Sequence, residues 1–146
     1  GVARATQDID LAVVLGTSDP RALATHFNAT YEAGDADDPL HGVFHLTIDH
    51  KGQGVPVQLI VLRPKWTDVV FRGIETLKVL GCAVPVVNWQ ALVLMKLYAS
   101  GPIDLQDARS IVAVRNPGAE DRKRLIVQAD GLGIGQEVRA LLESPS

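Results

Sequence analysis

Residues 43–62 read VFHLTIDHKGQGVPVQLIVL, two largely apolar runs separated by a short polar segment with two glycines. Residues 43–49 alternate as in a strand, and residues 55–62 are almost wholly apolar, as in a buried strand. The sequence therefore predicts an antiparallel hairpin. With a turn centred on Gly52 and Gln53, Thr47 would lie opposite Gln58 and the two polar side chains would share a face.

The segments before this hairpin predict a strand, a helix and a loop. Apolar residues 9–15 precede a turn-like segment and are typical of a buried strand. Ser18 or Asp19 would cap the short helix that follows, which would end near Phe27. Residues 31–42 are rich in Gly, Asp and Pro, so we predict a loop there.

The rest of the chain changes from extended to helical. Residues 77–87 are predicted as one extended segment, and Asn88 would cap an apolar helix that ends near Ser100. Three further helical segments follow before residue 146. Strands come early and helices late, without an internal repeat, which favours an α+β fold with a β-rich core over about residues 1–87.

Composition limits the class of protein. The chain has 146 residues, 47% of them hydrophobic, which suits one compact domain. Its net charge of −3 gives no general attraction to polyanions. Cys82 is the only cysteine, so an intramolecular disulfide is excluded and a reducing compartment is favoured. No apolar stretch approaches the roughly 20 residues that span a bilayer. We therefore expect a cytoplasmic protein without a membrane partner.

Asp8 and Asp10 stand at the start of the first predicted strand. Because strand side chains alternate, both carboxylates would project to one face, about 7 Å apart at Cα, while Ile9 turns to the core. Two carboxylates placed in this way can hold Mg²⁺. Acidic residues that merely solvate a strand end show the same spacing, so both interpretations stay open.

Three segments carry a resemblance to a known family. Residues 1–11, GVARATQDIDL, resemble the R-x-T-x-D-I-D signature of the nucleotidyltransferase superfamily, particularly its AbiEii-type and minimal-nucleotidyltransferase branches. Residues 84–99 resemble the strand and lysine-bearing helix of that branch, and DLQD at residues 104–107 resembles its next helix start. The resemblance implies a single domain over residues 1–146, with a mixed β-sheet flanked by helices and a helical C-terminal part.

The resemblance also implies a reaction. In this family two carboxylates bind Mg²⁺ and position a nucleoside triphosphate, an acceptor hydroxyl attacks the α-phosphorus, and pyrophosphate leaves. Asp8 and Asp10 would take these catalytic and metal-binding roles. Four residues would contact the nucleotide: Arg4, Thr6, Lys96 and Asp107. The acceptor would belong to RNA, a protein or a small molecule, and AbiEii-type relatives act as toxins on RNA.

Lys96 stands out because its predicted helix is otherwise nearly all apolar. A buried ammonium needs an anionic partner, and either a phosphate or Asp107 could supply it. Alternatively, the lysine stem packs while its head reaches water. Asp104 is expected to cap the next helix, with Asp107 one turn further along.

Two features depart from the family pattern. A third carboxylate is expected on the neighbouring strand, but Gln58 stands there, and a neutral amide cannot accept a proton at neutral pH. The family's Gly-rich phosphate-binding turn would precede Gly1. Because the chain opens at Gly1 without a methionine, we expect that its start has been trimmed. The alternatives are a degenerate nucleotidyltransferase fold that binds nucleotide or protein without transfer, and an interaction domain without a nucleotide site.

The histidines give no metal signal. His41 and His45 share a strand register, but roughly 13 Å would separate them, too far for one zinc ion. All four histidines are therefore interpreted as ordinary residues.

Overall fold

The structure, a computed structural model, describes residues 9–36 and 38–143. Within these ranges the protein is α+β, which confirms the predicted class. It has a mixed four-stranded sheet, a two-stranded antiparallel sheet and a helical C-terminal part. The chain divides into two compact units, residues 9–67 and residues 68–143.

The first unit is a sheet with the strand order β1-β4-β3-β2, in which β1 is parallel to β4 and the other pairs are antiparallel. Its elements are β1 Ile9–Val13, α1 Pro20–Phe27, β2 Thr30–Ala33, β3 Leu40–His50 and β4 Gln53–Leu62. Helix α2, Pro64–Arg72, continues from the first unit into the second.

Helix α1 begins and ends at the predicted residues. The Asp19 carboxylate accepts a hydrogen bond of 3.0 Å from the Arg21 backbone N–H, and Pro20 follows it at the first helical position. Asn28 ends the helix in the left-handed conformation, with φ of 51°. These local signals account for the agreement.

The hairpin between β3 and β4 has a different register from the predicted one. Its turn residues are Lys51 and Gly52, both with positive φ (55° and 79°), as a two-residue type I′ turn requires. Thr47 therefore lies opposite Pro56, and the predicted Thr47–Gln58 pair is wrong. The turn centre is one residue earlier, which shifts the pairing by two residues and leaves Thr47 and Gln58 on one face, as predicted.

Residues 31–42 are not one loop, so that prediction is wrong. β2 extends into this segment as far as Ala33 and pairs with the start of β3, with Ala33 opposite Gly42. The Tyr31 hydroxyl donates a 3.1 Å hydrogen bond to the His41 carbonyl oxygen. A Cβ at residue 42 would collide with the Tyr31 ring, so Gly42 permits a close approach rather than a turn.

The core of the first unit lies between the sheet and α1. Phe44 and Val61, 1% and 4% exposed, pack with Ala24 of the helix. Leu59 and Tyr31 pack against the same cluster. Because these strand residues share one face, alternation sends their neighbours to the opposite face of the sheet.

The second unit is rich in helices. Its elements are β5 Glu75–Val79, β6 Cys82–Val86, α3 Trp89–Ala99, α4 Pro102–Arg115, α5 Ala119–Leu132 and α6 Gly135–Glu143. Leu94 of α3, Leu125 of α5 and Val138 of α6 are fully buried. The described helices include none long and apolar enough to cross a membrane.

Strands β5 and β6 replace the single extended segment predicted over residues 77–87. Leu80 and Gly81 both have positive φ, 50° and 84°, and reverse the chain. Leucine is an unusual residue in this conformation. Of the two turn residues, only Gly81 is therefore typical of such a turn. Each residue of β5 is exposed.

Candidate functional site

A row of four polar residues crosses one face of the four-stranded sheet. Asp10 of β1 is the register partner of Gln58 in β4. Gln58 is the partner of His45 in β3, and His45 is the partner of Thr30 in β2. Residues directly opposite each other on adjacent strands project to the same face. The row therefore lies on the face opposite Phe44 and α1.

The metal site predicted at the start of β1 is described only in part. Asp10 is exposed, while Arg4, Thr6 and Asp8 lie outside the described residues. Ile9 lies on the apolar face but is 48% exposed, because β1 is an edge strand of the sheet in the described residues. Its predicted burial is wrong.

Asp10 and Gln58 fit the chemistry of Mg²⁺, since both carry hard oxygen donors on adjacent parallel strands about 4.8 Å apart. Within residues 9–36 and 38–143, no group of three or more His, Cys, Asp or Glu side chains is placed to hold a metal ion. The described residues thus supply this site with one carboxylate, from Asp10, and one amide oxygen, from Gln58. The second predicted carboxylate is Asp8.

A groove of about 400 Å³ lies along this face. Gln58, His45 and Thr30 of the polar row line it, together with Thr47. These side chains offer an amide, an imidazole and two hydroxyls, so the groove has several hydrogen-bond donors and acceptors close together.

His45 has a carboxylate beside it. Its Nε2 lies 3.6 Å from Oε2 of Glu32, and the two side chains are 43% and 82% exposed. This distance is too long for a hydrogen bond, but it allows an ion pair when the imidazole is protonated. His45 was interpreted from the sequence as an ordinary histidine, and the structure places it in the polar row. Its position two residues before Thr47 was the available signal, because residues i and i+2 share a strand face.

Lys96 lies in the second unit and binds two carboxylates. Its Nζ is 2.8 Å from Asp104 Oδ1 and 3.0 Å from Asp107 Oδ2, and the three side chains are 29–31% exposed. Of the two anionic partners predicted for Lys96, a phosphate or Asp107, the structure shows Asp107. The predicted capping role of Asp104 is wrong, since Gly101 is the N-cap of α4 and no side chain caps it.

Electrostatics explain why this lysine remains charged. Burial alone lowers the pKa of Lys96, but hydrogen bonds and charge from Asp104 and Asp107 outweigh it and hold the pKa above its ordinary value. One positive and two negative groups leave this cluster anionic overall. A phosphate that approached Lys96 would therefore compete with two carboxylates, and its nucleotide-binding role stays a prediction.

No known family model matches the chain, and no curated protein matches it. The polar face of the sheet and the short motif resemblances are therefore the features that bear on function.

Proposed function

We propose that this protein is a magnesium-dependent nucleotidyltransferase that moves a nucleoside monophosphate from a nucleoside triphosphate to a hydroxyl group. The observation that carries the proposal is the pairing of Asp10 with Gln58 on adjacent parallel strands. The motif resemblance implies a metal-binding aspartate on one strand and a third acidic position on the neighbouring strand. RNA, a protein or a small molecule would supply the acceptor hydroxyl.

Each residue of the site has a distinct part in this proposal. Asp8 and Asp10 hold Mg²⁺, which supplies positive charge to the phosphate groups. Gln58 donates or accepts a hydrogen bond and orients the substrate, but adds no charge. Catalysis consists mainly of positioning the acceptor hydroxyl in line with the bond to pyrophosphate.

The test is transfer of label from α-labelled nucleoside triphosphates to total RNA or to lysate protein, with Mg²⁺ present. Asp10→Asn should lower the rate about a hundredfold or more, because a carboxylate that compensates the metal is lost. Glu120→Gln, which removes an exposed carboxylate of α5, is the matched control and should keep full activity. Equal labelling by wild type and Asp10→Asn would refute the proposal.

A second candidate is a nucleotide-binding or protein-binding module without transfer. Gln58 favours it, since a neutral amide stands where the resemblance expects an acid. Gln58→Asp separates the candidates. The wild-type protein would be a disabled enzyme if it binds magnesium nucleotide but transfers no label, whereas the Gln58→Asp variant does transfer label.

We also propose a cytoplasmic location. Cys82 is exposed and unpaired, and an accessible thiol persists best in a reducing compartment.

A further inference from the structure

The substitution at Gln58 raises a chemical problem for the proposed transfer. An attacking hydroxyl must give up its proton, and an amide cannot take it. The polar row, however, continues past Gln58 to an imidazole. Histidine is the side chain most often used for proton transfer near neutral pH.

The spacing of the row leaves room for both reacting groups between Asp10 and His45. Asp10 and His45 stand on either side of Gln58, two strand spacings or about 10 Å apart in the backbone. Reacting atoms in a productive complex are about 3–3.5 Å apart, and a hydrogen bond to the base is about 2.8 Å. A phosphoryl group near Asp10 and a hydroxyl near His45 therefore fit within the roughly 10 Å between these two residues.

The surroundings of His45 suit a proton acceptor. Glu32 of β2 faces Nε2 at 3.6 Å, which places a negative charge beside the imidazolium that would form. From β4 the facing residue is the neutral Gln58, and the charged Asp10 lies one strand beyond it. Side-chain exposure of 43% leaves the ring accessible to a substrate in the groove.

We propose that His45 is the general base of this reaction, an inference that depends on the transferase function proposed above. The acceptor oxygen attacks the α-phosphorus while its proton passes to the imidazole. A new P–O bond forms to the acceptor, the bond from the α-phosphorus to the bridging oxygen breaks, and pyrophosphate leaves with that electron pair. Glu32 stabilises the imidazolium until the proton returns to water.

The first test does not depend on turnover. Imidazole NMR signals are followed while Mg²⁺ and a triphosphate with a methylene group between its α- and β-phosphorus atoms are added. The signals of His45 should shift more than those of His26, which lies on α1 at the other face of the sheet. A shift at His45 no larger than that at His26 overturns the inference.

The second test separates the base from the site. His45→Gln should lower the rate about a hundredfold or more while the dissociation constant for magnesium nucleotide stays within about twofold. Added imidazole should partly restore transfer by His45→Ala. His41→Gln, an exposed histidine of the same strand outside the row, is the control.

Each remaining outcome has a defined meaning. Transfer that requires Asp10 but not His45 overturns this inference and leaves the transferase function intact. Wild type that transfers nothing also overturns it, because His45 then fails to compensate for Gln58. If Asp10→Asn changes neither nucleotide binding nor the rate of transfer, the proposed transferase function is rejected. The assignment of His45 as its general base is then rejected as well.

Discussion

Lys96, in the last turn of α3, binds Asp104 in the first turn of α4 and Asp107 in the next turn. The short connection through Ser100 and Gly101 brings the end of α3 close to the start of α4, with Ser100 in the left-handed conformation. A partly buried ammonium with two carboxylates is stabilising, because removing one partner leaves uncompensated charge.

Replacing Lys96 by alanine should therefore destabilise the protein by about 1–2 kcal/mol, a value reduced from that of a fully buried group because the side chains are nearly one-third exposed. Urea denaturation at pH 7 measures the difference. Lys123→Ala, which removes an exposed lysine of α5, is the matched control and should change stability by less than about 0.5 kcal/mol.

The stability difference between wild type and Lys96→Ala should depend on pH. Because folding raises the pKa of Lys96, its contribution is complete below the ordinary lysine value and is lost as pH rises through the higher folded value. The stability gap between wild type and Lys96→Ala should narrow above about pH 10.5. A gap that stays constant at higher pH would argue against the ion pair.

Among the elements, two hairpins depend on the same kind of turn. Lys51-Gly52 and Leu80-Gly81 each have two positive φ values. A non-glycine residue pays about 1 kcal/mol or more for the left-handed conformation, whereas asparagine tolerates it. Leu80 is also completely exposed, so its side chain gains no packing in return.

Leu80→Asn should consequently stabilise the protein by about 0.5–1 kcal/mol. Thermal unfolding or urea denaturation would detect the change. Val79→Asn is the comparison, since Val79 is half exposed on the adjacent strand and asparagine is a poor strand former. Equal stabilities of the two variants would contradict the role assigned to the turn.

How well each element could be predicted depends on how local its signals are. Asp19 and Asn88 cap helices through bonds to backbone N–H groups two or three residues away, so sequence was sufficient. β2 was missed because Gly42 resembles a turn residue, whereas it makes room for the ring of Tyr31 across the strand pair. That contact joins two different strands, so a local pattern does not show it.

The chain as a whole contains two compact units, each with fully buried side chains. Phe44 lies at the centre of the first, and Leu94, Leu125 and Val138 are buried in the second. The small β5–β6 hairpin belongs with the helices. The change from strands to helices near residue 88 therefore does not coincide with the boundary between the units, which falls between residues 67 and 68.

Truncation of a core side chain should act mainly in its own unit. Phe44→Ala should cost about 3–5 kcal/mol and accelerate amide hydrogen exchange more in residues 9–67 than in residues 68–143. Leu125→Ala should show the opposite pattern. Hydrogen exchange with mass spectrometry measures both, and equal acceleration across the two ranges would mean that the chain opens as one cooperative unit.

Sequence alone was enough to predict the α+β class, the first strand and the face on which Asp10 projects, because strand alternation and helix caps are local properties. The partners of that carboxylate required the folded chain. A turn centred one residue earlier made His45, not Thr47, the neighbour of Gln58, and the parallel pairing of β1 with β4 put Asp10 on the other side. Register between strands depends on turn conformation and on packing between distant residues, which local patterns do not encode.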